Sequence, residues 1–184
     1  MDTVEKIKYY TGESNLVKDE VPTPKHICTD MVNMSDNSIY DRIDAKYLDI
    51  YCKSGRFLKA IYEKLIASTS LNGHYGNDTD KLKEEILKHY LYGIAPNEAI
   101  AAIVRKELYG DPNHIGNIIV IEDYKAKMKS NNFGRNSNGS VKTFREEINE
   151  RFGQGMKFDE VIGNPPYNSD AYIDFVRGVQ SNQG

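Results

Sequence analysis

Near its carboxyl end the sequence runs Asn164-Pro165-Pro166-Tyr167, directly after the strand-like stretch Phe158-Asp159-Glu160-Val161-Ile162 and a glycine. The prolines have fixed φ and no N–H, so they form a stiff turn just past a strand and leave carbonyl oxygens without competing donors nearby. The Asn164 side-chain oxygen and the Pro165 carbonyl can then accept two hydrogen bonds from one amino group. Tyr167 offers a flat face on which a base can stack. An amine conjugated to a ring is a poor nucleophile, and two acceptors draw its electron pair out of conjugation as it attacks a methyl donor. The bland alternative is an ordinary turn. The buried strand running straight into the tetrad favours chemistry, and the predicted catalytic set is Asn164, Pro165, Pro166 and Tyr167.

A second constellation lies at Asp49-Ile50-Tyr51-Cys52-Lys53-Ser54-Gly55-Arg56-Phe57-Leu58. Its turn, Cys52 to Gly55, needs small residues so that backbone amides can approach a ligand, although Asp49 read blandly only caps the turn. Asn97 and Glu98 open a helical run, where both residue types are also ordinary helix starters. Asp123 follows an apolar run, and a solvated strand-end acid would look the same. The four histidines, His26, His74, His89 and His114, have no ligand spacing, so no metal is assigned. Arg135, Lys142, Arg145 and Arg151 could track phosphates beside the site, but scattered charges more often form a solvated face.

The elements that must position these residues follow from periodicity. Val21-Pro22-Thr23-Pro24 precedes a helix in which Ile27, Met31, Val32 and Met34 recur. Residues 45–51 read as a strand, leading into a helix with Phe57, Leu58, Ile61, Leu65 and Ile66 on its apolar face. Ser68 to Asp80 read as a loop, and Lys81 to His89 as a helix with Leu82, Ile86 and Leu87 inward. Leu91 to Ala95 form a strand candidate, and Asn97 caps a helix carrying Ile100, Ile103, Val104 and Leu108. Ile118 to Ile121 form a third strand, followed by a long polar stretch whose middle, Ser130 to Ser140, reads as flexible. Phe158 to Ile162 make a fourth. Strands alternating with helices predict an α/β fold with a mostly parallel sheet, in which ligands sit at the carboxyl ends of strands. Asp49, Ala95, Asp123 and Asn164 all fall at such ends.

With these residues in this order, the chain resembles N6-adenine-specific DNA methyltransferases of restriction–modification systems, over about Val21 to Asn168. Asn164 to Tyr167 resembles their catalytic motif. Asp49 to Leu58 resembles their first cofactor loop, with Ile50 and Lys53 where Pro and Gly are usual. Thr23-Pro24 resembles an upstream motif beside the methionine end of the cofactor. The resemblance implies a Rossmann-like fold binding S-adenosyl-L-methionine through Thr23, Pro24, Asp49, Tyr51, Cys52, Ser54, Gly55, Phe57, Asn97 and Asp123. Asp49 would accept from the methionine ammonium and Asp123 would contact the adenine. The family usually has an acid for the ribose hydroxyls where this chain has Ala95, which leaves Asn97 or Glu98 to serve.

Domain organisation is read as a flexible or helical lead-in over residues 1–20 and a catalytic domain over 21–184. After Tyr167 only 17 residues follow (184 − 167), where the resemblance implies about three more strands and a target-recognition domain. The reading therefore expects the domain to be incomplete at the C-terminus. It also expects a sheet edge open to self-association. The implied partner is double-stranded DNA, engaged through segments absent here, because a net charge of −3 lacks the overall basic balance of a protein that grips a phosphate backbone alone. Two cysteines are too few for a disulfide framework or a four-cysteine zinc site. The polar amino terminus and the lack of a long apolar run suggest a cytoplasmic protein that does not span a membrane. The rival readings are a methyltransferase acting on protein glutamine or on RNA, and a non-catalytic scaffold that keeps the fold. A nicotinamide dehydrogenase is disfavoured because no G-x-G-x-x-G follows a strand.

Overall fold

Side chains alternate along each strand, and that alternation divides the apolar residues between two faces of a four-stranded sheet. The computed structural model describes residues 22–164; the lead-in and Pro165, Pro166 and Tyr167 lie outside the described residues. The elements are α1 (Lys25–Met34), β1 (Tyr47–Asp49), α2 (Arg56–Ile66), α3 (Thr69–His74), α4 (Thr79–Glu85), β2 (Leu91–Ala95), α5 (Glu98–Tyr109), β3 (Ile118–Val120), α6 (Tyr124–Ser130), α7 (Phe144–Phe152) and β4 (Glu160–Ile162). Tyr47, Leu91, Ala95, Ile118 and Ile162 pack with Leu58, Ile61 and Leu65 of α2 and Val104 of α5. Leu48, Tyr92 and Ile94 pack on the other side with Tyr124 and Met128 of α6 and Phe144 and Ile148 of α7. Among the described residues no helix is long and apolar enough to cross a membrane.

All strand pairings are parallel and the order is β3-β2-β1-β4. The chain steps outward from β1 to β3 and then returns to lay β4 beside β1, with Asp49 opposite Ile162. This is the Rossmann-like α/β arrangement expected, with the switch in strand order between β1 and β4, where open α/β sheets bind ligands. At the other side of the sheet, Arg105 donates to the Ile118 carbonyl at 3.1 Å and Arg151 to that of Val120 at 3.2 Å, so these carbonyls of edge strand β3 are already occupied.

Four local expectations need correction. α1 buries Cys28 and Val32, whereas Ile27, Met31 and Met34 are exposed. The reason is tertiary: Arg56 of α2 holds the Thr23 carbonyl at 3.0 Å and Lys64 holds that of Val32 at 2.9 Å, which sets the rotation of α1. Within the expected 68–80 loop, α3 forms because the Ser68 side chain caps the Leu71 amide and Leu71 is fully buried. The helix expected to His89 gives way to a π-helical turn at Ile86–Tyr90, which leads directly into β2. The polar stretch after β3 holds α6 and α7, and its middle folds as a hairpin with Arg135 bridged to Val141. Burial of Phe133 and a Thr143–Glu146 capping box at α7 organise it.

Candidate functional site

Two adjoining cavities open at the carboxyl edge of the sheet. The smaller, about 10 Å³, is lined by Thr23, Asp49, Tyr51, Ser54, Gly55, Phe57 and Asn164, together with Cys28, Lys53 and Arg56. That is room for about one water molecule. The larger, about 360 Å³, is lined by Tyr51, Cys52, Lys53, Asn97 and Asp123 among others. It falls in the size range of small-ligand pockets. Tyr51 and Lys53 border both.

The small cavity is built by the β1–β4 neighbourhood. Past the last pair of the ladder, the Ile50 amide still donates to the Ile162 carbonyl at 3.1 Å, keeping the two strand ends together. Gly163 then passes so close that a Cβ there would lie 2.9 Å from Asp49 Oδ1, so only glycine lets the chain turn at this point. Gly55, at φ +74, ends the loop in the left-handed region and starts α2. Every residue from Tyr51 to Gly55 is buried, Lys53 included.

Asp49 is only 2% exposed and accepts from the Tyr51 amide at 3.1 Å, so the turn-capping reading is correct in geometry. Burial pushes its carboxyl up to about 7, opposed by the Tyr51 amide, the Cys52 thiol and the Lys53 charge. A buried acid held near neutrality is one that a cationic ligand group would ionise. The same burial, with Asp49 nearby, pushes the Cys28 thiol up to about 11 and keeps it protonated.

Asn164 reaches across the cavity mouth, where its Nδ2 donates to Thr23 Oγ1 at 3.0 Å. Its Oδ1 is buried and has no donor among the described residues. Leaving a buried acceptor unpaired costs about 1–3 kcal/mol, which an N–H from a ligand would recover. The oxygen does not stand open to solvent, and Asn164 lines the small cavity together with Thr23 and Asp49. Pro24 lines neither cavity; it is exposed, and at φ −55 it sets the start of α1.

In the larger cavity the two candidate ribose residues part. Asn97 Oδ1 caps the Ile100 amide at 2.9 Å and the residue lines the chamber, whereas Glu98 pairs with Arg105 and lines a separate groove along β3. Ala95 is fully buried in the core and lines neither cavity. Asp123 lies in the left-handed region at φ 53 and makes no cap bond to α6, so its side chain is not spent on the helix. Sequence reasoning did not single out Lys53 as a shared wall residue or Arg56 as the clamp on Thr23; nothing in their spacing announces either.

Lys142, Arg151 and Arg135, considered for phosphate contact, are engaged within the chain. Lys142 pairs with Glu147 and Glu150, Arg151 with Glu147, and Arg135 donates to the Gly139 carbonyl. They serve the α6–α7 region structurally.

A family model described as Eco57I restriction-modification methylase matches residues 72–181, more than half of the chain. No curated protein matches it. The matched region includes β2, β3, β4 and Asn164 but begins after Thr23 and Asp49. The meeting of those two residues with Asn164 is therefore an observation independent of the match.

Proposed function

The chain belongs to the Eco57I restriction-modification methylase family, and from that premise we propose that it transfers a methyl group from S-adenosylmethionine to the exocyclic amino group of adenine in double-stranded DNA. The observation that carries this reading is the buried Asn164 Oδ1, an acceptor lacking a donor among the described residues, in a residue that lines the same cavity as Asp49 at the junction of β1 and β4. Asp49, with Thr23, Ser54, Gly55 and Phe57, would hold the methionine end of the cofactor once their cavity, about 10 Å³ in the ligand-free protein, widens to admit it. Tyr51, Cys52, Asn97 and Asp123 would hold its nucleoside in the larger chamber. When bound, the cofactor supplies an electrophilic methyl group on a sulfonium centre.

The target base must leave the duplex for its amine to be reached. For that to happen the mouth of the small cavity must widen, because Asn164 Oδ1 is closed to solvent in the ligand-free protein; Asn164 Oδ1 and the Pro165 carbonyl would then accept from the amine, with Pro166 stiffening the turn and Tyr167 stacking on the ring. Proximity and alignment supply most of the acceleration, since no strong base is required. Asn164→Ala should lower methyl transfer by about 10²–10³, the range found when one preorganised polar group is removed from a reaction centre. Calorimetry should show cofactor binding nearly intact, and mass spectrometry of digested DNA should lose the N6-methyladenine signal. Retained transfer would remove Asn164 from the mechanism, and methyl groups on protein glutamine or RNA would move the substrate assignment.

A second reading, a scaffold that keeps the fold without binding cofactor, is favoured by the buried Ala95 at the end of β2. Such a protein would give no calorimetric heat with millimolar S-adenosylmethionine.

A further inference from the structure

Lysine is seldom buried, because its ammonium gives up hydration that only acceptors or an anion restore. Lys53 is nevertheless only 9% exposed. It borders both the small cavity and the large one, and so does Tyr51, over whose ring Lys53 Nζ lies 6.0 Å from the centroid. That ring contact places the ammonium at the shared wall of the two cavities. Asp49 lines the small cavity too, and the Lys53 charge acts on its carboxyl, opposing the effect of burial. Arg56, the third charged residue of that lining among the described residues, already gives Nη1 to the Thr23 carbonyl at 3.0 Å. One wall therefore carries a dried acid and a dried lysine within electrostatic reach of each other, and such a pair complements a zwitterion. The enzymes this chain resembles usually have glycine at this place, so the lysine is a feature of its own.

The methionine end of S-adenosylmethionine is a zwitterion, with an ammonium and a carboxylate on one carbon. We propose that Lys53 is a specificity-determining residue whose ammonium pairs with that carboxylate while Asp49 takes the ligand's ammonium, so that the site selects ligands with an intact amino-acid end. The inference rests on the cofactor reading given above and adds a residue and a selection to it. Removing the carboxylate leaves a ligand with two positive charges, an ammonium and a sulfonium, and Lys53 repels it where it held the parent.

Calorimetry on the full chain at about pH 8, where Asp49 is mostly ionised, tests this with S-adenosylmethionine and its decarboxylated analogue. The native protein should bind the analogue about 10–100-fold more weakly, the loss of one charge-assisted hydrogen bond. In Lys53→Met the two ligands should bind within about threefold of each other. If a melting curve shows that variant unfolded, Lys53→Gln replaces it and should bring them within about fivefold, the worth of a neutral hydrogen bond. The ratio is the readout, because a lysine that only tunes Asp49 or supports the loop would weaken both ligands alike. For the same reason Asp49→Asn should weaken both and preserve the ratio. Equal binding of the two ligands to the native protein, or a ratio that survives in Lys53→Met, would overturn the proposal and leave the cofactor reading standing. No heat with either ligand at millimolar concentration would sink the cofactor reading, and this inference with it.

Discussion

At the β1–β4 side of the sheet edge, Thr23, Asp49 and Asn164 close around about 10 Å³ of space. At the β2–β3 side, Asn97 and Asp123 stand exposed around a chamber of about 360 Å³. In the closed region each polar atom's partner matters, because burial raises the Asp49 carboxyl to about 7 and Asn164 Oδ1 has no donor among the described residues. In the open region the polar groups are solvated and partly used by local structure, as when Asn97 caps α5. The difference teaches where binding energy should concentrate: polar groups dried in advance interact strongly with a ligand, and wet ones interact weakly.

The largest contrast should come from Asp49→Asn. The amide keeps an oxygen for the Tyr51 amide but cannot ionise, so cofactor affinity should fall by about 10–100-fold, the loss of one charge-assisted bond. The ligand-free protein should at the same time become more stable at about pH 8, by on the order of 2 kcal/mol, because a buried charge is removed. Calorimetry and thermal melts measure the two; an unchanged affinity would put the closed region on a par with the open one.

Titration sharpens the same point. Burial raises the folded Asp49 carboxyl from 3.8 to about 7, so between those values the folded chain holds a proton that the unfolded chain has lost. The stability this group contributes is present in full below pH 3.8 and is lost as pH rises through about 7. Cofactor affinity should run the other way, falling about tenfold per pH unit below about 7 as the acid protonates. A pH dependence that persists in Asp49→Asn would assign it to another group.

Smaller effects belong to the open region. Asn97→Ala should cost about 1 kcal/mol of stability through the lost cap and only a few-fold in cofactor affinity, whereas Asn97→Asp keeps the cap and should be nearly silent in melts. A hundredfold affinity loss in Asn97→Ala would reverse the comparison. Smallest of all, Asp123→Gly should relieve the left-handed strain at φ 53, raising stability by up to about 1 kcal/mol while weakening binding by about threefold or less. Unchanged binding would leave Asp123 a solvated strand-end acid.

The four strands and the helices α2 and α5 were legible because hydrophobic period is local, and the same pattern placed Asp49, Asp123 and Asn164 at strand ends. The buried face of α1 was not legible. Ile27, Met31 and Met34 form the more apolar stripe, yet the clamp from α2 turns Cys28 and Val32 inward. α6 and α7 were hidden in polar sequence, since their few inward residues, Tyr124, Met128, Phe144 and Ile148, are diluted by lysine and glutamate. At the site, Ala95 read plainly as a missing acid, but only coordinates divided Asn97 from Glu98 by giving Glu98 to Arg105.

By itself, then, the sequence determined which residue types stand at the ends of strands and what chemistry such types allow, because propensity and periodicity act over a few residues. Tertiary structure alone decided that β4 returns to lie beside β1, so that Thr23, Asp49 and Asn164 meet. Strand order depends on crossovers and on shared burial between distant segments, and no local pattern encodes it. The desolvation that raises the Asp49 acid exists only once those segments have met.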